Sequence, residues 1–412
     1  MTSHKVLITG ITGFVGPYLA RQLLDSGNEV SGLLTRRADG RKPKHLSDFG
    51  ILSNIHLING DITDLTSVLS AVQEVEPEWI FHLAAQSFVP QSFNDPTGTF
   101  RINCLGTQNV LEAVRLKDLK SKIIFAGSSE EYGLQFSDIG HFENMKKKYG
   151  VIEPEPKNIP ELPVDEDSFM RPMSPYATSK VYGDFAFRNY HNTYGLNSIV
   201  SRAFNHEGAR RGHNFVTSAI VSQLVSIHLE EENVMRIGDI QPFRDWSHVE
   251  DIVRGYILLA EKGAPGSVYV QGSSRSHSVL SYILYTILML GYEVNGIHTV
   301  RGEKQITDPL SVSEVTIGTT KLKSNKIDSM LLAHEIDYSL SDEGLIVETN
   351  KRHFKIGFDP SRFRPSDVPI LLSNTNKIRQ LGFEIKKELS DIVTDQINYY
   401  LDPDHRKMAL SL

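Results

Sequence analysis

The sequence predicts an α/β fold: a doubly wound parallel sheet followed by a smaller C-terminal α/β domain. Three observations support this prediction. Short apolar strand patterns alternate with helical patterns throughout the first half of the chain. A glycine-rich turn joins the first strand pattern to the first helical pattern. After Val200 the spacing becomes less regular. Regular alternation of strand and helix is typical of parallel sheets that carry helices on both faces.

Length and charge limit the possible functions. A chain of 412 residues can bury a large core and form more than one domain. The net charge of −7 provides no broad positive field, so we expect no nucleic-acid partner. Cys104 is the single cysteine, which excludes an intramolecular disulfide and a cysteine-based metal cluster. The histidines show no His-x-x-x-His spacing, and we predict no catalytic metal.

The sequence also predicts where the protein resides. The N-terminal residues 1–5 lead directly into a strand pattern and carry no signal-peptide pattern. The longest apolar passage, Val279 to Tyr292, is interrupted by Ser and Thr and is shorter than the roughly 20 residues of a membrane helix. We therefore expect a soluble cytoplasmic protein without a membrane partner.

The first strand, helix and intervening turn predict a dinucleotide site. Lys5–Thr9 is a compact strand pattern, and Tyr18–Leu24 has helical apolar spacing. Between them, a Gly-x-x-Gly-x-x-Gly turn lets the backbone approach a pyrophosphate at the helix N-terminus. A structural turn without a ligand is the alternative interpretation. The residues predicted to bind the cofactor here are Gly10, Thr12, Gly13, Phe14, Val15 and Gly16.

The second strand pattern, Glu29–Leu34, ends in a basic pair that indicates the cofactor type. NAD-selective proteins usually place an acid here for the ribose 2′-hydroxyl. This chain instead has Arg36 and Arg37, whose guanidinium groups suit a 2′-phosphate. The sequence thus predicts NADP, with a solvated basic turn as the alternative.

The third and fourth strand patterns complete the predicted cofactor site. Ile55–Ile58 precedes Asp61 and Ile62, which we expect near the adenine. Trp79–Leu83 runs into small residues that allow the chain to pass close to a bound cofactor. The cofactor contacts predicted at this strand end are Leu83, Ala84, Ala85 and Ser87.

The fifth strand pattern, Lys122–Ala126, delivers two hydroxyls and two carboxylates to the carboxyl edge of the sheet, in the segment Gly127–Gly133. Taken alone, that segment is equally well interpreted as a polar turn. Tyr176 and Lys180 follow at helical i, i+4 spacing, which places them on one face. We predict that Lys180, helped by a cationic nicotinamide, lowers the pKa of Tyr176 from about 10.

Together these segments resemble the extended short-chain dehydrogenase/reductases and, more narrowly, the GDP-mannose 4,6-dehydratases. The resemblance spans most of the chain. Its motifs are Gly10-Ile-Thr-Gly13, Leu83-Ala-Ala-Gln-Ser87 with Val89, Ser128-Ser-Glu130 with Tyr132-Gly133, Ser174-Pro-Tyr-Ala177 with Lys180, Phe204-Asn-His-Glu207, Arg210-Arg-Gly212, Phe215-Val-Thr217, Arg244-Asp-Trp246 and Asp359 to Pro365.

The resemblance implies roles for individual residues. Glu130 takes the place of the dehydratase glutamate, and Tyr132-Gly133 sets the register that leaves Glu131 outside the matched position. The implied catalytic residues are Ser128, Glu130, Tyr176 and Lys180. The implied cofactor contacts, besides those above, are Tyr176, Lys180, His206 and Arg211. The implied substrate contacts are Ser87, Ser129, Asn205, Val216, Arg244 and Arg364.

The implied function is a nucleotide-sugar 4,6-dehydratase that acts on GDP-mannose by oxidation at carbon 4, loss of water across carbons 5 and 6, and hydride return to carbon 6. A GDP-sugar 4-epimerase or 4-ketoreductase is the alternative enzyme, and a non-catalytic NADP-binding sensor is the alternative outside catalysis. The family also suggests a homodimer or homotetramer, in which Arg210 and Arg211 reach a neighbour's cofactor.

Two long segments and one position depart from the family pattern. The connection 134–165 is longer than usual, and we expect an inserted loop near the active site that acts as a lid over the substrate. The region 299–350 is expanded and contains no motif. Where the family often has a phosphate-binding lysine, this chain has Ala219.

The predicted organisation assigns residues 1–203 to an NADP-binding Rossmann domain, to which 244–271 return. Residues 204–243 and 272–412 form the substrate-binding domain. The later elements predicted from spacing are helices at Val249–Leu259, Val279–Leu290, Leu371–Leu381 and Leu389–Tyr400, and a strand at Ser267–Gln271.

Overall fold

The computed structural model of the chain describes residues 3–35, 42–364 and 367–410. In chain order, its strands are β1 (Lys5–Thr9), β2 (Glu29–Leu34), β3 (His56–Asn59), β4 (Trp79–His82), β5 (Lys122–Ala126), β6 (Asn197–Ala203), β7 (His206–Glu207), β8 (Val234–Ile237), β9 (Phe243–Arg244), β10 (Ser247–His248), β11 (Val268–Gln271), β12 (His277–Ser278), β13 (Val294–Thr299), β14 (Gln305–Thr307), β15 (Val312–Ile317), β16 (Thr320–Asn325), β17 (Gly344–Thr349) and β18 (His353–Phe358).

The α-helices of the described residues are α1 (Val15–Asp25), α2 (Lys44–Asp48), α3 (Leu65–Val75), α4 (Val89–Asn94), α5 (Pro96–Phe100), α6 (Gly106–Leu116), α7 (Ile139–Tyr149), α8 (Pro175–Tyr194), α9 (Val216–His228), α10 (Val249–Lys262), α11 (Val279–Met289), α12 (Lys326–Leu332), α13 (Asn376–Arg379), α14 (Leu389–Leu401) and α15 (Pro403–Leu410). A π-helical stretch, Arg101–Leu105, joins α5 to α6.

The larger sheet has seven strands in the order β3-β2-β1-β4-β5-β6-β11. All of its neighbouring strands are parallel. Strand β1 pairs with β2 on one side and β4 on the other, so the chain reverses direction across the sheet at β1. Ligands of doubly wound folds bind at the carboxyl edge beside such a reversal. This sheet confirms the predicted fold class.

Alternating side chains of β1 explain why both sheet faces are covered. Leu7 contributes to one apolar cluster, while Val6 and Ile8 contribute to the other. Helices α1 and α10 cover the second cluster, and α3 and α6 cover the first. Each fully buried Leu or Ile contributes about 1.5–3 kcal/mol relative to exposure, which favours this three-layer arrangement.

The smaller sheet has five strands in the order β14-β13-β17-β18-β8. Its strands come from 234–237 and 294–358, and helices α9, α11 and α14 contribute side chains to the same apolar cluster. We propose that this sheet and its helices form the core of the predicted substrate-binding domain. The expanded region 299–350 thus contains ordered strands, including the β15–β16 hairpin.

The predicted helices at 249–259, 279–290 and 389–400 are present as α10, α11 and α14, and the strand near 267–271 is present as β11. The helix predicted over Leu371–Leu381 is wrong, because only Asn376–Arg379 are helical. The preceding residues are extended: Leu371 donates its backbone N–H to the carbonyl of Phe243, and Ser373 bridges to Val164. Backbone pairing across the fold outweighs the helical apolar spacing there.

In the described ranges, no helix combines the length and the apolar character required to cross a membrane. Within the same ranges, no three His, Cys, Asp or Glu side chains are placed together to hold a metal ion.

Candidate active site

A large cavity of about 1430 Å³ lies at the carboxyl edge of the seven-stranded sheet. It extends from the glycine turn after β1 to Arg364 near the smaller sheet. Every predicted site residue within the described ranges lines it. Arg36 and Arg37, which predicted NADP rather than NAD, lie outside the described residues. The geometry therefore brings together residues from positions 10 to 364.

The glycine turn is shaped by close approach of backbone to backbone. Gly10 has φ +74°, and a Cβ at that position would lie 2.7 Å from the backbone nitrogen of Ala84. A Cβ at Gly16 would lie 2.5 Å from the carbonyl oxygen of Ile11. Only glycine fits both positions without displacing backbone.

The helix that follows this turn presents its N-terminus without a side-chain cap. Helix α1 begins at Val15, and Phe14 at the N-cap position makes no side-chain hydrogen bond to the first turn. The first N–H groups of a helix then remain available for an anion, and the helix dipole favours negative charge. Turn and helix therefore fit the pyrophosphate of a dinucleotide.

A buried histidine connects the carboxyl ends of β1 and β4. The ring nitrogens of His82 lie 2.8 Å from the Thr9 hydroxyl and 3.0 Å from the Thr107 hydroxyl. The Thr9 hydroxyl also accepts from the backbone N–H of Ala84 at 3.2 Å. Burial lowers the pKa of His82 to about 3, so the ring is neutral. No local sequence pattern indicates this role of His82, because it depends on two distant threonines.

The residues expected near the adenine are held by short local contacts. Asp61 accepts the backbone N–H of Thr63 at 2.8 Å. The carbonyl of Ile62 accepts from the side chain of Asn109 on α6 at 2.8 Å. Both Asp61 and Ile62 line the cavity, next to Thr35 at the end of β2.

The turn after β5 separates two adjacent glutamates. The hydroxyl of Ser128 accepts the backbone N–H of Glu130 at 3.2 Å and caps the short helical turn Ser129–Glu131. Ser128, Ser129 and Glu130 line the cavity. Glu131 points the other way and is 0% exposed. This geometry distinguishes the two carboxylates in the same sense as the sequence register.

Helix α8 brings the tyrosine and the lysine to this turn. Ser174 caps the helix by accepting the backbone N–H of Ala177 at 3.0 Å. Lys180 Nζ donates to the carbonyl oxygen of Ala126 at 2.8 Å, and it lies 5.9 Å from the centre of the Tyr176 ring. The end of β5 and the first turns of α8 are thereby joined at the cavity.

The pKa values of the tyrosine and the lysine move in opposite directions, and burial is the main cause of both shifts. Burial raises the pKa of Tyr176 to about 12, and only a hydrogen bond from Ser128 and the Arg211 charge oppose it. Burial lowers the pKa of Lys180 to about 8, against the charge of Glu131. The predicted lowering of the Tyr176 pKa is therefore wrong for the protein chain alone, because desolvation of the phenolate dominates.

Two arginines surround the candidate base and share one acid. Burial raises the pKa of Glu130, while the charges of Arg244 and Arg364 oppose that rise. Arg244 donates to Asp367 Oδ1 at 2.7 Å, and Arg364 donates to the same oxygen at 3.2 Å. Arg244 also donates to the carbonyl of Val368 at 2.6 Å. Asp367 therefore fixes both guanidinium groups at the far end of the cavity.

The segment after β6 lines another side of the cavity. The buried side-chain oxygen of Asn205 has no hydrogen-bond partner within the described part of the chain. His206 lies 2.9 Å from the carbonyl of Phe204, and burial lowers the pKa of the His206 ring to about 4. The guanidinium of Arg211 lies 3.6 Å from the centre of the Phe215 ring. An unpartnered amide oxygen and a stacked arginine leave polar groups open to a ligand.

The two arginines expected to reach a neighbour also contact residues of their own chain. Arg211 lines this chain's cavity. Arg210 stacks on Phe49 and Tyr399, at 4.4 Å and 5.6 Å from the ring centres. The dimer or tetramer stays a prediction.

Three cavity arginines were not predicted: Arg101 at the start of the π-helical stretch, Arg236 and Arg362. Arg236 lies on β8, where alternation turns it away from the buried Met235 and Ile237. Arg362 belongs to the 359–365 motif, although the resemblance pointed only to Arg364. Arg362 could have been found from the sequence, because it is a second arginine in that motif, two positions before Arg364. Arg236 carried no comparable signal, because its role depends on the smaller sheet.

Arg236 lies beside the position where the family's lysine is missing. The side chain of Gln223 donates to the carbonyl of Ala219 at 2.8 Å and accepts the backbone N–H of Arg236 at 2.9 Å. All three residues line the cavity. A cation is therefore present near Ala219, but on a strand rather than on α9.

The connection 134–165 does not contribute to the cavity. All of its residues are described, it contains α7, and none of them lines the cavity. Glu161 forms a buried ion pair with Arg171 at 2.8 Å, and the carbonyl of Leu162 accepts from Thr319 of the β15–β16 hairpin. The segment packs against that hairpin. Because none of its residues lines the cavity, the structure gives no support to the predicted lid.

Comparison with known families places the chain. The sequence model of the NAD dependent epimerase/dehydratase family matches residues 6–272, and that of GDP-mannose 4,6 dehydratase matches residues 158–396. GDP-mannose 4,6-dehydratase of Sinorhizobium fredii is 29% identical over 96% of this chain and 97% of that protein. The human GDP-mannose 4,6 dehydratase is 32% identical over 70% of this chain and 73% of that protein.

A solved structure has the same fold. The structure of RMD from Pseudomonas aeruginosa complexed with NADPH aligns with a TM-score of 0.63 at 19% identity, and the alignment covers 97% of this chain and 99% of that chain. At this identity the likeness concerns the fold alone.

Proposed function

The chain belongs to the NAD dependent epimerase/dehydratase and GDP-mannose 4,6 dehydratase families, and from that premise we propose that it is an NADP-dependent nucleotide-sugar 4,6-dehydratase. GDP-mannose is the favoured substrate, because relatives that carry this name align with nearly the whole chain. The observation that supports the reaction best is the carboxylate of Glu130 in the same cavity as Ser128, Tyr176 and Lys180.

The cavity fits a dinucleotide cofactor. The turn at Gly10 and Gly16 admits backbone but no Cβ, and the uncapped start of α1 suits a pyrophosphate. The choice of NADP over NAD rests on the sequence pair Arg36 and Arg37. When bound, NADP⁺ would supply the hydride acceptor for oxidation at carbon 4 and the hydride donor for carbon 6, and its cationic ring would lower the pKa of a nearby phenol.

Oxidation at carbon 4 needs a base for the 4-hydroxyl proton, and Tyr176 takes that role as its phenolate. Lys180 provides positive charge beside the ring, while the hydroxyl of Ser128 hydrogen-bonds the oxygen that becomes the ketone. Because burial is the main cause that raises the pKa of Tyr176 to about 12 in the cofactor-free chain, the positive charge of the bound cofactor would help to form the phenolate.

Elimination of water needs a second base. The new ketone acidifies the proton on carbon 5, and Glu130 removes that proton as the 6-hydroxyl leaves. Burial raises the pKa of Glu130 and makes it a stronger base, while Arg244 and Arg364 keep its carboxylate form accessible. The hydroxyl of Ser129 lines the cavity next to Glu130 and is placed to deliver the proton of the departing water.

The far end of the cavity suits a diphosphate. Arg244, Arg364, Arg236 and Arg362 bring four guanidinium groups to this region, against the acids Asp239 and Asp367. Guanidinium groups bind phosphate oxygens in pairs. Asn205 adds an unpartnered amide oxygen for a ribose or sugar hydroxyl.

A 4-epimerase of the same superfamily is the alternative, since the wider family includes epimerases. Epimerisation requires oxidation, rotation and reduction, but it requires no base for a carbon acid. Glu130 has no role in that cycle, and its position in the cavity favours dehydration.

The proposed function predicts a product lighter by one water. Purified protein incubated with NADP and GDP-mannose is analysed by mass spectrometry, with dTDP-, UDP- and CDP-hexoses in parallel. Loss of one water from GDP-mannose supports the proposal in full, and loss from another nucleotide sugar corrects only the substrate. No loss of water from any nucleotide hexose contradicts the dehydratase assignment.

A further inference from the structure

Glu131 is a buried carboxyl group that the proposed reaction does not use. Its Oε1 accepts the backbone N–H of Ser128 at 2.6 Å. Its Oε2 has no hydrogen-bond partner within the described residues and lies 3.6 Å from Arg202 Nε. Burying a carboxyl group with an oxygen unpaired costs free energy, so its presence here calls for a compensating role.

Arg202 does not depend on Glu131 for a partner. Its Nε donates to Asp184 Oδ2 at 2.9 Å, and its Nη1 donates to the hydroxyl of Tyr132 at 3.1 Å and the carbonyl of Glu166 at 2.9 Å. The side chain of Arg202 is therefore held by Asp184 of α8, by Tyr132 and by the carbonyl of Glu166, without the glutamate. Pairing with Arg202 alone does not explain why Glu131 is retained.

The same charged residues connect α8, which carries Tyr176 and Lys180, to the turn after β5, which carries Ser128. Tyr176, Lys180 and Asp184 lie at i, i+4 and i+8 of α8 and share one face. Asp184 binds Arg202, and Arg202 faces the carboxyl group of Glu131. A continuous buried chain thus runs from the helix of the tyrosine and lysine to the turn of the serine.

The backbone beside Glu131 is packed too tightly to allow another arrangement. A Cβ at Gly127 would lie 2.7 Å from Glu131 Oε1 and 2.8 Å from the carbonyl oxygen of Ser201. Ser128, which follows Gly127, is only 8% exposed. The carboxyl group therefore sets where the Ser128 backbone can lie between β5 and β6.

We propose that Glu131 is a positioning residue: its carboxyl oxygen, anchored through Arg202 and Asp184, fixes the backbone of Ser128 so that Ser128 and Glu130 face Tyr176 and Lys180. The inference rests on the proposed function only for its kinetic readout. Hydrogen exchange at the Ser128 amide tests it independently of any sugar.

The acceptor role does not depend on the charge of Glu131. Burial and the neighbouring Asp184 raise the pKa of Glu131, while Arg202, the Ser128 N–H and Lys180 lower it. The charge of Glu131 also raises the pKa values of Tyr176 and Tyr132. In either protonation state Oε1 remains an acceptor, so a glutamine can replace it.

The test compares three single variants of the full-length protein. Glu131→Gln keeps the acceptor, Glu131→Met removes it at similar length, and Glu131→Asp withdraws it by one methylene while keeping charge beside Arg202. We expect the Ser128 amide to exchange at least about tenfold faster in the Met and Asp variants and within about threefold of wild type in the Gln variant. We expect kcat to fall about tenfold in the Met and Asp variants, with KM within about threefold of the wild-type value.

A matched control is available in Glu166. Its Oε1 accepts the backbone N–H of Val270 at 2.8 Å, the same kind of contact in a partly buried position, and it does not line the cavity. Glu166→Met should speed exchange at Val270 and leave both Ser128 exchange and kcat unchanged.

The outcomes separate the two proposals. Unchanged Ser128 exchange in folded Glu131→Met, or in Glu131→Asp if the Met variant does not fold, overturns the positioning role. Rapid Ser128 exchange in Glu131→Gln would also overturn it. If wild-type protein dehydrates no sugar yet Ser128 exchange follows the expected order, the dehydratase proposal fails and the positioning role stands.

Discussion

The two ends of the cavity are built by different means. The end at the glycine turn is shaped by backbone, because Gly10 and Gly16 leave no room for a side chain. The end at the smaller sheet is shaped by side chains, where Asp367 holds Arg244 and Arg364. Backbone shape tolerates almost no substitution, whereas a network of ion pairs can redistribute its charge. The consequences of mutation should therefore differ in size.

The largest effect is expected at Gly10. Gly10→Ala adds a Cβ 2.7 Å from the Ala84 nitrogen, so the turn must shift and cofactor affinity should fall about 100-fold or more. Isothermal titration with NADP measures the change. Gly27→Ala is the control, since Gly27 also has positive φ but has open space around it. It should lose stability without losing affinity, and equal losses of affinity would contradict the close-approach argument.

A smaller effect is expected at Asp367. Asp367→Asn releases the two arginines, and KM for the nucleotide sugar should rise about tenfold while NADP affinity stays constant. Because Asp367 raises the pKa of Glu130, its neutralisation should also move the acidic limb of the kcat profile to lower pH. An acidic limb that moves to higher pH, or a loss of NADP affinity, would refute this assignment of the far end.

The smallest effect is expected in the titration of Lys180, and its measurement needs no mutation. Burial lowers the pKa of Lys180 to about 8, so its ammonium form should predominate below that pH and disappear above it. Peptide mapping of acylated protein at a series of pH values should give a Lys180 midpoint near 8 in the cofactor-free protein, below the roughly 10.4 of an ordinary lysine. A midpoint at the ordinary value would show that the site is wetter than its geometry indicates.

The backbone-built end could be predicted from local sequence. Spacing of glycines between a strand and a helix pattern identified the turn, and strand alternation gave the sheet. The register of Tyr132-Gly133 placed Glu130 in the matched position, and the structure puts this carboxylate, rather than Glu131, in the cavity. These features depend on neighbours along the chain.

The side-chain-built end could be predicted only in part. Arg236 lines the cavity because β8 joins a sheet formed by much later residues, and no local pattern records that pairing. The false helix at 371–381 has the same origin, since its extended part pairs with Phe243 and Val164. The raised pKa of Tyr176 in the cofactor-free chain could not be predicted from the sequence, because its main cause is burial by the whole fold.

The most direct test of the account is the half-reaction of Glu130→Gln. With GDP-mannose and NADP, this variant should still oxidise carbon 4, and reduced-nicotinamide absorbance should accumulate. It should release water about 10²–10⁴-fold more slowly than wild type, because the base for the carbon-5 proton is missing. Glu131→Gln, one residue away and outside the cavity, should complete the cycle. Full release of water by Glu130→Gln would contradict the central claim that this carboxylate makes the enzyme a dehydratase.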